Sequence, residues 1–225
     1  MSSASPRLRV WDLPTRIFHW VLAVLVVFSF ATGKIGGSWL EWHMKSGYTI
    51  LALVLARIAW GIAGSETSRF TSFVRGPGAF LRYAGDIVAK RRRASVGHNP
   101  MGGWMVVFML VVLLAQASTG LFADDEISTQ GPLAVKVSNA LVAKMSAFHY
   151  YNSWTVIAAV LLHVIAIAAY WIAWRDNLVA PMWTGWREAD VATVQPQLRA
   201  TWVAAVILAM SAGLVYWLVA IYPKG

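Results

Sequence analysis

Cysteine is absent from all 225 residues. That excludes a disulfide, a thiolate-bound metal, an iron–sulfur cluster and any thioether-linked prosthetic group on this chain. It also removes the usual guide to redox compartment. Charge is scarce: 13% of residues are Asp, Glu, Lys or Arg, about half the share of an ordinary soluble domain. Acidic residues are the scarcest, 10 against 19 Lys and Arg, which leaves a net charge of +9. No hydrolase, transferase or nucleic-acid motif is present, and membrane topology explains the basic balance better than RNA or DNA binding does. What is plentiful is apolar. Hydrophobic residues make up 58% of the chain, Trp occurs 13 times and the mean hydropathy is +0.57. That many Trp suits a membrane protein with aromatic belts at both interfaces.

Five apolar segments, near 16–33, 43–63, 102–122, 147–174 and 200–222, pass the length of about 18 residues that a spanning helix needs. The sequence therefore predicts an all-α integral membrane protein. The first segment follows Arg7 and Arg9 as a secretory signal would, but it lacks a small-residue cleavage site and carries His19 and Trp20 early. It reads as a retained helix, with Pro14 near its start where a missing N–H does little harm. With a cytoplasmic N-terminus, the inner segments hold thirteen Lys and Arg: Arg7, Arg9, Arg16, Arg69, Arg75, Arg82, Lys90, Arg91, Arg92, Arg93, Arg175, Arg187 and Arg199. The outer segments hold five: Lys34, Lys45, Lys136, Lys144 and Lys224. The positive-inside bias then predicts N-in and C-out. In the inner loop, about 64–101, Phe80, Leu81, Ala84, Ile87 and Val88 fall near one helical face among basic residues. Two readings stand: an amphipathic helix on the inner leaflet, or a solvated loop. The outer loop 123–145 starts acidic and has room for a short helix.

Ionisable rings inside a bilayer are costly and usually functional. Of the five histidines, His19, His43, His149 and His163 lie in or at the ends of predicted spans, and His98 lies in a loop. His149 and His163 share the fourth helix. Fourteen residues separate them by about 21 Å and by a rotation within roughly 40° of whole turns, so they project from nearly one face. The topology puts His43 level with His149 on the outer side, and His19 level with His163 on the inner side. Imidazoles from facing helices can clamp a flat iron porphyrin, and cofactor sites in bundles are commonly built so. A neutral imidazole bound to metal also escapes much of its burial penalty. The pattern predicts two stacked haems, the fourth helix giving one ligand to each. The rival reading is a haem-free transporter or proton channel using the same histidines as relays.

The segments VWDLPTRIFHW (10–20), WHMKSGY (42–48), GHNPMGGW (97–104), TGLF (119–122) and FHYYNSWTVIAAVLLH (148–163) resemble the bacterial di-haem cytochrome b561 and nickel–iron hydrogenase cytochrome b-subunit family over about residues 8–190. The resemblance implies a four-helix transmembrane bundle holding two haem b, each with two histidine ligands. The matching positions are His19 with His163 and His43 with His149, in agreement with the depth pairing. Electron transfer between quinone and a redox protein is implied, the partner being a hydrogenase, a dehydrogenase subunit or a c-type cytochrome. The implied location is the bacterial inner membrane, in contact with its lipid. Residues 191–225 form an additional C-terminal spanning helix that contains no histidine.

Arg57 lies fourteen residues beyond His43, near the depth of the inner haem; it either pairs with a haem propionate or snorkels to the interface. Arg16, one turn before His19, either serves a propionate or only obeys the positive-inside bias. His98 and Asn99 sit at the mouth of the third helix, to close the inner pocket or to touch a quinone or proton. Gly33, Gly47 and Gly120 either let a porphyrin or backbone approach closely or are ordinary membrane-helix glycines.

Overall fold

Why these segments become helices, and where each one starts, is visible at their N-termini. The computed structural model describes residues 7–91, 95, 97–127, 129–188 and 194–224. A short strand, β1 (Arg7–Arg9), leads to α1 (Leu13–Ile35). Asp12 caps α1, its Oδ1 accepting the Thr15 N–H at 2.7 Å, and Pro14 occupies the first turn as expected. A 3₁₀ turn (Gly37–Trp39) precedes α2 (Leu40–Ala63), which is followed by the short α3 (Phe70–Phe73) and by α4 (Pro77–Val88). The next spanning helix, α5 (Pro100–Gly120), starts on a proline, and the Asn99 Oδ1 accepts its Gly102 N–H at 2.8 Å. Then come α6 (Asn139–Trp174), α7 (Val179–Thr184), β2 (Trp186–Glu188) and α8 (Thr201–Tyr216), the last continued by one π-helical turn and one 3₁₀ turn to Lys224. Among the described residues five helices are long and apolar enough to cross a membrane. The all-α reading holds, with a two-stranded ribbon that the sequence did not disclose.

The fourth spanning helix begins at Asn139, eight residues before the expected 147. Apolarity marked the bilayer segment, but Lys144 and Ser146 interrupt the apolar run, while helix formers such as Ala140, Leu141 and Lys144 carry the helix back beyond that interruption. The expected boundary between residues 190 and 191 lies outside the described residues, as do Arg92 and Arg93.

The chain forms two compact units whose boundaries fall within helices. The first unit comprises residues 1–17, 59–108 and 161–204. In it β1 pairs antiparallel with β2, Leu8 opposite Arg187. Leu8, Val10 and Trp11 are buried there, with Met182 packed against them. Gly185 adopts φ +89°, a region open to glycine without strain, and its carbonyl accepts the N–H groups of Val10 at 2.9 Å and Trp11 at 3.2 Å. Arg187 closes the segment with a two-pronged bond to Asp176, at 2.8 and 2.7 Å. The helical reading of the inner loop is realised in α4. It turns Tyr83 and Asp86 inward and leaves Leu81 and Val88 exposed.

The second unit comprises residues 18–58, 109–160 and 205–225. Its core joins Leu51 and Ala52 of α2, Leu121 and Leu133 of the α5–α6 connection, and Val215 of α8. The fifth spanning helix is thus fastened to the unit along one seam, through Val215 and Val219. Exposed apolar side chains such as Val24, Val27 and Met210 point away from the core, as lipid-facing positions do.

Candidate functional site

The second unit brings His43 of α2 and His149 of α6 together. Their ring centroids are 5.9 Å apart and their planes stand at 88°. Each ring is held from behind in the same way. The His43 Nδ1 bonds the Ser29 carbonyl at 2.8 Å, and the His149 Nδ1 bonds the Gln116 carbonyl at 2.9 Å. A carbonyl only accepts, so each Nδ1 carries the proton and each Nε2 keeps its lone pair. A backbone carbonyl on one ring nitrogen is a common way for proteins to orient an imidazole whose other nitrogen binds a metal.

Two glycines make room for the rings. A Cβ on Gly33 would meet the His43 Nδ1 at 2.8 Å, and one on Gly120 would meet the His149 Cε1 at 2.9 Å. Gly47 behaves differently: nothing lies within 4 Å of where its Cβ would be, and it lines a cavity of about 350 Å³ together with both histidines. Gly33 and Gly120 thus permit close approach of the rings, whereas no contact in the structure requires a glycine at position 47.

The described residues contain no group of three or more His, Cys, Asp or Glu able to hold a metal ion. Two imidazoles beside a cavity instead suit a metal whose other ligands come from a macrocycle. The Gln116 amide donates to the His149 Nε2 at 3.2 Å and to the His149 carbonyl at 3.0 Å. Coordination would replace the first of these bonds and leave the second in place. Asn152 steadies the amide, its Nδ2 donating to the Gln116 Oε1 at 2.8 Å. Ser29, Gln116 and Asn152 were not singled out from the sequence. An isolated amide in an apolar helix, as in LLAQAS and YYNSW, is the signal that could have found two of them.

His19 lies in the second unit, its ring edge-on to Trp20 with centroids 5.0 Å apart. His163 lies on α6 in the first unit. Arg57 is only 4% exposed within α2. In the first unit Arg16 donates through Nη2 to the Trp183 carbonyl. His98 is enclosed by rings, 4.7 Å from Trp11 and 4.6 Å from Phe73 between centroids. Beyond capping α5, Asn99 donates through Nδ2 to the Tyr170 hydroxyl at 3.1 Å, which pairs with the Tyr83 hydroxyl at 2.9 Å.

Comparison with known proteins gives a consistent result. Residues 10–185 match the model of a family described as prokaryotic cytochrome b561, leaving the fifth spanning helix outside the match. A probable Ni/Fe-hydrogenase B-type cytochrome subunit of Azotobacter chroococcum is 23% identical, covering 77% of this chain and 85% of its own length. The proteins of the same description from Cupriavidus necator and Bradyrhizobium diazoefficiens are 24% and 23% identical, over 77% and 79% of this chain and 84% of their own lengths. No solved structure matches. Five helices among the described residues are fit to span a membrane, and the match over most of its length shows that the chain belongs to the prokaryotic cytochrome b561 family, as a multi-pass membrane protein that carries haem b and transfers electrons.

Proposed function

We propose that the protein binds two haem b and relays electrons between the quinone pool and a redox partner across the bacterial inner membrane, its N-terminus in the cytoplasm and its C-terminus in the periplasm. One haem would be held by His43 and His149, the other by His19 and His163. The observation that carries this reading is the first pair: two imidazoles 5.9 Å apart, each with Nδ1 on a backbone carbonyl. The second pair rests on the fourteen-residue repeat along α6 and on its match to the family's ligand pattern.

When bound, haem supplies a one-electron redox change between ferric and ferrous iron. The chain's own residues do the rest. The Ser29 and Gln116 carbonyls fix tautomer and ring orientation. With two histidines assigned to each haem, neither haem would be left open to a substrate, and both would act as electron carriers. Burial, ligand identity and nearby charge would then tune the potentials. Burial of Arg57 at 4% exposure favours an internal anion over snorkelling, and we assign it, with Arg16, to haem propionates. The relatives' description as hydrogenase subunits makes a nickel–iron hydrogenase the first partner to test, with a dehydrogenase subunit or a c-type cytochrome as the others.

A pyridine haemochrome assay on the purified protein tests the core of this. Two haems per chain are expected, all extractable, because no cysteine can attach them. A folded preparation that takes up no haem when supplied with it would return the histidines to proton relay.

A further inference from the structure

The haem that His43 and His149 would hold carries two propionate carboxylates, and a carboxylate is not stable against an apolar wall without a partner. The cavity beside these histidines offers few charged groups. Among its described lining residues they are Lys34, Asp124 and Asp125. The two aspartates repel a carboxylate, so Lys34 is the cation left to receive one.

Lys34 is also held in place. Its ammonium lies 4.6 Å from the Trp154 ring centroid, 4.9 Å from that of Tyr150 and 5.4 Å from that of Phe30. Cation–π contacts attract an ammonium but do not accept its hydrogens as an oxygen does, so its three N–H donors stay available to an anion. Three rings from α1 and α6 thus restrict an otherwise flexible side chain at the edge of the cavity. A lysine that only offset the C-terminal dipole of α1 would need neither the aromatic cage nor the cavity.

We propose that Lys34 and its three aromatic rings form a carboxylate subsite that binds a propionate of the haem between His43 and His149 and holds that haem's potential up. The inference rests on the two-haem reading above. A lysine ammonium favours the reduced, less positive haem, so its removal lowers the potential.

The absence of cysteine allows a test within one preparation. Lys34→Cys is reconstituted in phosphatidylcholine nanodiscs, its haem content measured by pyridine haemochrome, and both haems titrated by absorbance. Alkylation with bromoethylamine then restores a cation at that position, and the titration is repeated. At a fixed ambient potential the ferrous-to-ferric ratio of one haem should fall roughly two- to fivefold, the size of an exposed ion pair, and recover after alkylation. The second haem should not move, and Lys34→Arg should match the native protein. Full haem content with unchanged ratios overturns the proposal, as does a fall that alkylation does not reverse. An effect that appears only when phosphatidylglycerol is added assigns Lys34 to a lipid headgroup, which also overturns it. Absence of haem from the native protein is a separate result and overturns the underlying two-haem reading.

Discussion

Both units bury polar side chains among apolar ones, and they treat them differently. In the first, the Asp12 carboxylate is 2% exposed. Its oxygens accept the Thr15 N–H at 2.7 Å, the Trp60 Nε1–H at 3.1 Å and the Ser68 hydroxyl at 3.3 Å. Thr15 and Ser68 also bond each other at 2.8 Å, and Thr67 donates to the Val10 carbonyl at 2.6 Å. Every member answers another, as a network that rigidifies a fold should. In the second unit His43 and His149 each commit Nδ1 to a backbone carbonyl and line a cavity, with the His149 Nε2 meeting only the Gln116 amide, a contact that a ligand can displace. A polar group locked among its neighbours holds structure, and one that keeps an open or displaceable side towards a cavity is set up to bind. Helix identity does not separate the two cases, because α1 and α2 contribute to both.

The largest effect should come from the cavity-facing pair. His149→Ala should lower haem content from two to one per chain, and His43→Ala should remove the same haem. His19→Ala and His163→Ala should remove the other. If His43→Ala and His163→Ala erased the same spectroscopic component, the pairing would be refuted.

Asp12→Ala should do the reverse, leaving haem content near normal while destabilising the protein. Each buried donor stranded by the loss costs about 1–3 kcal/mol, and a lost helix cap costs about 1 kcal/mol. Thermal unfolding of the haem-loaded protein would measure this. Unaltered stability would mean that the Asp12 network is not structural.

Gly33→Ala sharpens the contrast at a single methyl group. With the His43 ring only 2.8 Å from the new Cβ, overpacking of about 1–3 kcal/mol is expected. It should appear as an altered low-spin ferric signal of one haem in electron paramagnetic resonance. Gly47→Ala, which meets nothing within 4 Å, should perturb the ring geometry less.

Smaller still is the expected result of Arg57→Leu. Removing a cation beside a haem should lower the potential of the haem held by His19 and His163 and shift the other much less. A redox titration showing no change at full haem content would remove Arg57 from the propionate assignment.

Much of this was legible in the sequence. Apolar runs long enough for a bilayer located the five candidate spans found among the described residues, because lipid leaves the backbone no partner outside the helix. The fourteen-residue repeat put His149 and His163 on one face of one helix, since 3.6 residues per turn fixes direction. Gly33, Gly47 and Gly120 were flagged, yet only the coordinates separate two that press on imidazoles from one that opens on the cavity. The early start of α6 at Asn139 was missed because hydropathy reports the bilayer and not the helix.

By itself, the sequence determined that the chain is helical, crosses a membrane and cannot attach a cofactor through cysteine. Local periodicity and composition are enough for that. Tertiary structure alone decided that β1 pairs with β2, about 180 residues later in the chain, since a three-residue strand carries no pattern of its own. It also decided that Ser29 and Gln116 orient the histidines through their carbonyls. Every residue has a carbonyl, so no side-chain pattern can announce which one a ring will meet.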